Sequence, residues 1–164
     1  MMKFVGRDRE IKKLHTLYQD EGFQFVVIYG RRRVGKTMLI NEFLKGKRSA
    51  YYIAVEGTAK ENLTGISKAV LTEGASDFYM PEFSDFESLL LYIDHLCKNS
   101  DGQERLVIAI DEFPYLAASY PAISSMLQSH IDQCWKNSNL FLILCGSSMS
   151  FMEERVLGYK SPLY

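Results

Sequence analysis

The chain has 164 residues, of which 47% are hydrophobic and 24% are charged, so it has the length and composition of one globular domain with a buried core. Its formal net charge of −1 and its isoelectric point near 6.3 exclude a protein that coats nucleic acid through bulk charge. The three cysteines are widely spaced and form no C-x-x-C pair, which argues against a zinc site and is typical of a reducing compartment.

Four short apolar runs predict buried β-strands, and helical patterns lie between them. The runs lack polar alternation, which is typical of a parallel sheet covered on both faces. They span residues 25–29, 51–55, 106–110 and 140–145. Apolar residues at helical spacing predict helices at residues 8–20, 36–45, 84–99 and 150–157, with further helices after Thr58 and after Pro121. The alternation of strands and helices predicts an open α/β sheet.

Two of these helices begin with the pattern of a capping box. In this pattern a hydroxyl residue and an acid three positions later exchange hydrogen bonds with the backbone. The pairs are Thr58 with Glu61 and Ser84 with Glu87. Residues 74–81, between the two helices, show no periodicity, and we expect a long loop there.

A phosphate-binding pattern follows the first predicted strand. Residues 30–37 read GRRRVGKT, which matches G-x-x-x-x-G-K-T, and they lie between a predicted strand and a predicted helix, as the mechanism requires. Backbone N–H groups and the helix dipole would hold phosphate oxygens. Lys36 would reach the β- and γ-phosphates, and the Thr37 hydroxyl would ligate Mg²⁺. We therefore expect a nucleotide to contact Gly30, Arg31, Arg32, Arg33, Val34, Gly35, Lys36, Thr37 and Met38.

Three consecutive arginines occupy variable positions of this loop. The phosphate cradle is built from backbone, so the side chains of Arg31, Arg32 and Arg33 would point away from it. They could meet nucleic acid, the nucleotide of a neighbouring subunit or acids near the loop. Equally, they could form a solvated cluster that attracts polyphosphates.

Two acids follow the third predicted strand. In RLVIAIDEF, residues 105–113, Asp111 ends the strand at the edge of the sheet where nucleotides bind in open α/β folds. We expect Asp111 to hold Mg²⁺ through water, and Glu112 to orient the water that attacks the γ-phosphate. Glu112 in this position favours a hydrolase over a transferase. The sequence contains no N-K-x-D guanine reader, which favours ATP over GTP.

Two serines follow the fourth predicted strand, in LFLILCGSSMS at residues 140–150. Ser147 could sense the γ-phosphate or position the attacking water, or it could cap the next helix. Ser148 fits the cap better.

The motifs taken together resemble one family. They are similar to those of the archaeal-type P-loop ATPases, which lie near the AAA+ and STAND groups of the additional-strand NTPases. The matching stretches are FVGRDRE at residues 4–10, YGRRRVGKT at 29–37, IDEFPYL at 110–116 and LCGSSMSFME at 145–154.

The resemblance implies a three-layer α/β fold with a parallel sheet in the order 5-1-4-3-2. It implies that Lys36 and Thr37 bind the nucleotide and Mg²⁺, that Asp111 and Glu112 are metal ligand and base, and that Ser147 is the sensor. Such families continue with an arginine-bearing segment, a fifth strand and a winged-helix region. We therefore expect residues 1–164 to be an incomplete P-loop ATPase domain, with the fifth strand beyond them.

The expected activity is hydrolysis of Mg·ATP that drives a conformational switch. No apolar run suits a signal peptide or a membrane span, so we expect a cytoplasmic protein without a membrane partner. A partner or a neighbouring copy of the chain would complete the site, because Arg155 fits a solvated helix face better than a catalytic arginine. Nucleic acid could bind through a downstream region. The alternative is a nucleotide-gated module that binds DNA or protein with negligible turnover.

Overall fold

A sheet of four parallel strands forms the centre of the computed structural model, which describes residues 8–31, 35–74, 83–99, 102–148 and 151–156. The strand order is β1-β4-β3-β2. The strands are β1 (Gln24–Tyr29), β2 (Ser49–Ile53), β3 (Val107–Asp111) and β4 (Phe141–Gly146). All four predicted strands are confirmed, and their order is the 1-4-3-2 part of the predicted arrangement. The fifth strand and the continuation beyond residue 164 stay predictions.

Six α-helices are found in the described residues, and none of them is long and apolar enough to cross a membrane. They are α1 (Asp8–Gln19), α2 (Lys36–Leu44), α3 (Ala59–Gly74), α4 (Phe86–Lys98), α5 (Phe113–Ser119) and α6 (Ile123–Gln133). A 3₁₀ turn (Trp135–Asn137) follows α6, and a wide π-helical turn (Met152–Val156) stands where a longer helix was predicted. Helix α5 is missing from the sequence prediction. The predicted loop at 74–81 lies outside the described residues except for Gly74, which ends α3.

Helices cover both faces of the sheet, which confirms the three-layer architecture. Alternate residues of β3 and β4 point to opposite faces because side chains in a strand have a period of two. One face packs on α1 and α2 through Leu14, Leu39, Ile40, Phe43, Val107, Ala109, Phe141, Ile143 and Cys145. The other face packs on α3 to α6, with Ile108, Ile110, Leu142 and Leu144 at its centre. Burial on both faces explains why these strands are continuously apolar.

One predicted capping box forms and the other does not. The Thr58 backbone N–H donates to Glu61 Oε2 at 2.8 Å, and the Glu61 N–H donates to Thr58 Oγ1 at 3.1 Å. Before α4, however, the cap is Asp85, whose Oδ1 accepts from the Ser88 N–H at 2.7 Å. The prediction of Ser84 as this cap is wrong by one residue. A carboxylate is the stronger acceptor at a helix N-terminus, since it also carries the charge that the helix dipole favours.

Arg105 connects the end of α1 to the sheet through hydrogen bonds. Its guanidinium is buried, donates to the carbonyl oxygens of Tyr18 and Asp20 at 2.6 Å each, and also bonds the Gly22 carbonyl. It lies over the Phe141 ring at 5.3 Å. Burial lowers the pKa of Arg105. The arginine satisfies carbonyls that the end of a helix leaves without partners, and so fixes where the chain enters β1.

Candidate functional site

The carboxyl ends of the four strands meet at one edge of the sheet, because all the strands run in the same direction. A cavity of about 590 Å³ opens there, a size typical of small-molecule sites. The cavity is lined by Gly35, Lys36, Thr37, Met38, Ile53, Ala54, Glu112, Tyr115 and Ser147. Six of the twelve predicted site residues therefore line one cavity, although they come from three separate stretches of sequence.

Gly35 directs the start of α2 towards this cavity. It has φ 86° and ψ 20°, a left-handed conformation that favours glycine. The next three residues begin α2 and all line the cavity. N–H groups in the first turn of a helix have no acceptor within the helix, so this end of α2 suits an anion.

Lys36 is almost buried, and its ammonium group binds the loop that precedes it. Nζ donates to the carbonyl oxygen of Gly30 at 2.8 Å and to that of Arg31 at 2.6 Å. These bonds hold a positive charge beside the N-terminus of α2. The Arg31 side chain is exposed. The other predicted loop residues, Arg32, Arg33 and Val34, lie outside the described residues.

Asp111 is 1% exposed, and its carboxylate accepts three hydrogen bonds. The Thr37 hydroxyl donates to Oδ2 at 2.7 Å, the Tyr51 hydroxyl donates to the same oxygen at 2.8 Å, and the Glu112 backbone N–H donates to Oδ1 at 2.9 Å. A buried charge is stable only with such donors. Thr37 and Asp111, the two predicted Mg²⁺ ligands, are therefore adjacent, and their oxygen atoms are the ligands that Mg²⁺ prefers.

The role of Tyr51 was not predicted from the sequence. Burial raises the pKa of Tyr51, and the hydrogen bond to Asp111 and the charge of that carboxylate raise it further. The hydroxyl therefore keeps its proton and acts as a donor. No local signal in the sequence marked Tyr51, because the contact depends on the register in which Ile53 pairs with Asp111.

Glu112 and Ser147 also meet in the site. The Ser147 hydroxyl donates to Glu112 Oε1 at 2.9 Å. Glu112 has φ 52° and is the single non-glycine residue with positive φ among the described residues. Such a conformation costs on the order of 1 kcal/mol and is often found at functional sites. Ser148 begins the following turn, since its carbonyl oxygen accepts from the Met152 N–H at 3.0 Å.

Gly146 allows Ser147 to come this close. A Cβ at Gly146 would lie 2.8 Å from both Met152 Sδ and Pro114 Cδ. The end of β4 therefore packs directly against the start of α5. Since Glu112 precedes α5 and Ser147 follows β4, this close approach brings the two side chains together.

The wall of the cavity at the end of β2 depends on Asn62, which was also not predicted. Its amide is completely buried. Oδ1 accepts from the Tyr52 hydroxyl at 2.6 Å and the Val55 N–H at 2.9 Å, and Nδ2 donates to Ser119 Oγ at 3.0 Å. The amide thus joins β2, α3 and α5 behind the lining residues. Arg155 is exposed on the π-helical turn and does not line the cavity.

The three-layer architecture, the GRRRVGKT stretch before α2 and the acidic residues at the end of β3 together define a P-loop nucleotide-binding domain. The sequence model of one protein family, an ATPase domain found predominantly in Archaea, matches residues 4–164. The chain belongs to this ATPase family, as the resemblance predicted.

Three known proteins illustrate the relationship. An uncharacterized protein of Methanocaldococcus jannaschii is 37% identical over 161 residues, which is 98% of this chain and 33% of that protein. An uncharacterized ATP-binding protein of the same organism is 42% identical over 48 residues, which is 29% of this chain and 81% of that protein. The structure of the Walker-type ATPase of Pyrococcus abyssi aligns with TM-score 0.65 and 21% identity over 98% of this chain and 51% of that one, which establishes the fold. The chain thus spans about a third of the length of the first of these relatives.

Proposed function

We propose that the chain binds Mg·ATP in the cavity at the carboxyl edge of the sheet and hydrolyses it to ADP and phosphate. The observation that carries this proposal is the arrangement around Asp111. Its carboxylate touches the Thr37 hydroxyl at 2.7 Å, and Glu112 follows it directly in the chain. Family membership supports ATP as the nucleotide.

The triphosphate would lie across the loop and the N-terminus of α2. There the first-turn N–H groups would donate to phosphate oxygens, and Lys36 would neutralise their charge. The proposed contacts extend from Gly30 to Met38 and include Arg31, Arg32, Arg33 and Val34 through the loop backbone. Because Lys36 already bonds two loop carbonyls, the ammonium is held in place before the nucleotide arrives.

Thr37 and Asp111 would hold Mg²⁺, since their oxygen atoms are 2.7 Å apart and Thr37 lines the cavity. The bound ion would neutralise charge on the β- and γ-phosphates. Asp111 also accepts a hydrogen bond from the Thr37 hydroxyl, which leaves the oxygen lone pairs of Thr37 available to a ligand.

Glu112 would orient the attacking water and accept its proton. A carboxylate offers several acceptor positions, so the bond from Ser147 to Oε1 leaves room for a water molecule. Ser147 would fix the Glu112 side chain, and a change of its partner from Glu112 to the γ-phosphate would signal the state of the nucleotide. Such a change would begin the proposed conformational switch. Little covalent work is required of the protein, because phosphoryl transfer depends on positioning and charge.

A nucleotide-gated binding module with negligible turnover is the second candidate. In this candidate the hydrogen bond from Ser147 would hold the Glu112 carboxylate away from the attacking water. A partner or a neighbouring copy of the chain would then be needed to release Glu112. Nucleic acid as that partner stays a prediction.

The two candidates are separated by phosphate release from ATP together with nucleotide binding, measured for the wild-type chain, Glu112→Gln and Lys36→Ala. Hydrolysis predicts that Glu112→Gln binds Mg·ATP but releases phosphate at least about 100-fold more slowly, because general base catalysis contributes that much. Lys36→Ala should lose binding. Glu153→Gln, an exposed acid outside the cavity, is the matched control and should behave as wild type. Equal phosphate release by wild type and Glu112→Gln would reject the hydrolase.

A further inference from the structure

The partly buried Tyr51 contributes a hydrogen-bond donor to the site in addition to the P-loop and the acidic end of β3. Its hydroxyl lies 2.8 Å from Asp111 Oδ2, the oxygen that also accepts from Thr37 at 2.7 Å. The carboxylate is thus held from α2, from β2 and by the backbone of Glu112. Two side-chain donors from separate elements and the N–H of the next residue leave the carboxylate little freedom to rotate.

The packing of the sheet explains how Tyr51 reaches Asp111. Tyr51 is paired with Ala109, and Ile53, two residues further on, is paired with Asp111. Two residues of a strand span about 6.6 Å, which is close to the length of a tyrosine side chain. The ring packs with the apolar residues between the sheet and α2, where the small, fully buried Ala109 leaves space for it. The hydroxyl is therefore directed along the sheet towards its carboxyl edge.

We propose that Tyr51 is a positioning residue that holds Asp111 against Thr37 and thereby sets the affinity of the site for Mg²⁺. The inference rests on the proposed function. A Thr37 oxygen that binds a cation needs an acceptor for its proton, and Asp111 Oδ2 is that acceptor. The hydrogen bond from Tyr51 keeps this oxygen in place. Donors of this kind around metal ligands commonly change metal affinity about 10- to 100-fold when they are removed.

The neighbouring Tyr52 is a matched control for Tyr51. Its ring faces the opposite side of the sheet, and its hydroxyl donates to Asn62 Oδ1 at 2.6 Å. Both tyrosines lie in the same strand and both donate one hydrogen bond to a buried oxygen. Tyr52, however, bonds a neutral amide that supports the fold, whereas Tyr51 bonds the proposed metal ligand.

The test titrates Mg²⁺ into the 164-residue chain in the presence of the non-hydrolysable β,γ-imido analogue of ATP, with thermal stabilisation as the readout. Binding of the same analogue in EDTA is measured in parallel. We expect Tyr51→Phe to raise the Mg²⁺ concentration at half-saturation at least about 10-fold and to leave binding in EDTA unchanged. We expect Tyr52→Phe to lower the melting temperature and to leave the Mg²⁺ midpoint unchanged.

The other possible outcomes each overturn either the role of Tyr51 or the proposed function. A wild-type midpoint in Tyr51→Phe, or an equal shift in both variants, would overturn the role of Tyr51 while the nucleotide site stands. Failure of Tyr51→Phe to fold when Tyr52→Phe folds would assign the hydroxyl to stability and overturn it as well. If the wild-type chain binds the analogue neither with Mg²⁺ nor in EDTA, the proposed function fails, and this inference fails with it.

Discussion

Replacement of Gly146 by alanine tests whether close packing at the end of β4 positions the Ser147 and Glu112 pair. The added Cβ would lie 2.8 Å from Met152 Sδ and Pro114 Cδ, well inside the 3.5–4.0 Å at which carbon atoms pack. The end of β4 and the start of α5 must therefore move apart. Overpacking of this kind costs about 2 kcal/mol.

The same movement should reduce turnover more than binding. Ser147 directly follows Gly146, and its hydroxyl is 2.9 Å from Glu112 Oε1. An increase in this distance beyond about 3.5 Å removes the hydrogen bond. Lys36 and Thr37 lie at the start of α2, on a different element, and should keep their positions. We expect Gly146→Ala to bind ATP but to release phosphate about 10-fold or more slowly, because misplaced catalytic groups carry penalties of this size.

Urea unfolding gives the stability change, and phosphate release at saturating ATP gives the rate. The double variant Gly146→Ala/Pro114→Ala is the control, since it removes the proline atoms that the new methyl group meets. The double variant should lose less unfolding free energy than the sum of the losses in the two single variants. An unfolding free energy for Gly146→Ala within about 0.5 kcal/mol of wild type would refute the reasoning, because an ordinary surface substitution would have the same effect.

Two further predictions concern the structure around the site. Asn62→Ala should lower the free energy of unfolding, measured in urea, by about 3 kcal/mol, because it leaves the Tyr52 hydroxyl and the Val55 N–H without their shared acceptor. A loss below about 1 kcal/mol would contradict this prediction. Asp85→Ala should lower the melting temperature at neutral pH. The hydrogen bond from the Ser88 backbone lowers the pKa of Asp85 in the folded chain, so its stabilisation is complete above the unfolded pKa and is lost as pH falls through the folded pKa. The melting difference between wild type and Asp85→Ala should therefore decrease in acid, and a constant difference at every pH would disprove the role of the charge.

Local patterns account for what was correctly predicted. The four strands were found because burial on both faces requires continuous apolar runs. The start of α2 was found because a left-handed residue at Gly35 and a phosphate cradle both have a recognisable local sequence. Thr58 and Glu61 were paired correctly because a capping box closes within four residues.

Two errors of the sequence prediction, the cap of α4 and the missed helix α5, have different causes. Ser84 and Asp85 both suit a cap, and the packing of Phe86 into the core selects where α4 begins. Helix α5 was missed because it has only seven residues and is too short to show a helical period. Its N-terminal Pro114 was the one local signal.

The sequence by itself therefore determined the class of the protein, its nucleotide loop and the identity of Lys36, Thr37, Asp111 and Glu112 as candidate site residues. Only the tertiary structure decided that Tyr51 shares the Asp111 carboxylate with Thr37 and that Ser147 bonds Glu112. These contacts join residues 35 to 74 positions apart, and they depend on strand register and on the close approach at Gly146. Local sequence patterns carry the chemistry of each group, whereas the parallel sheet brings those groups together.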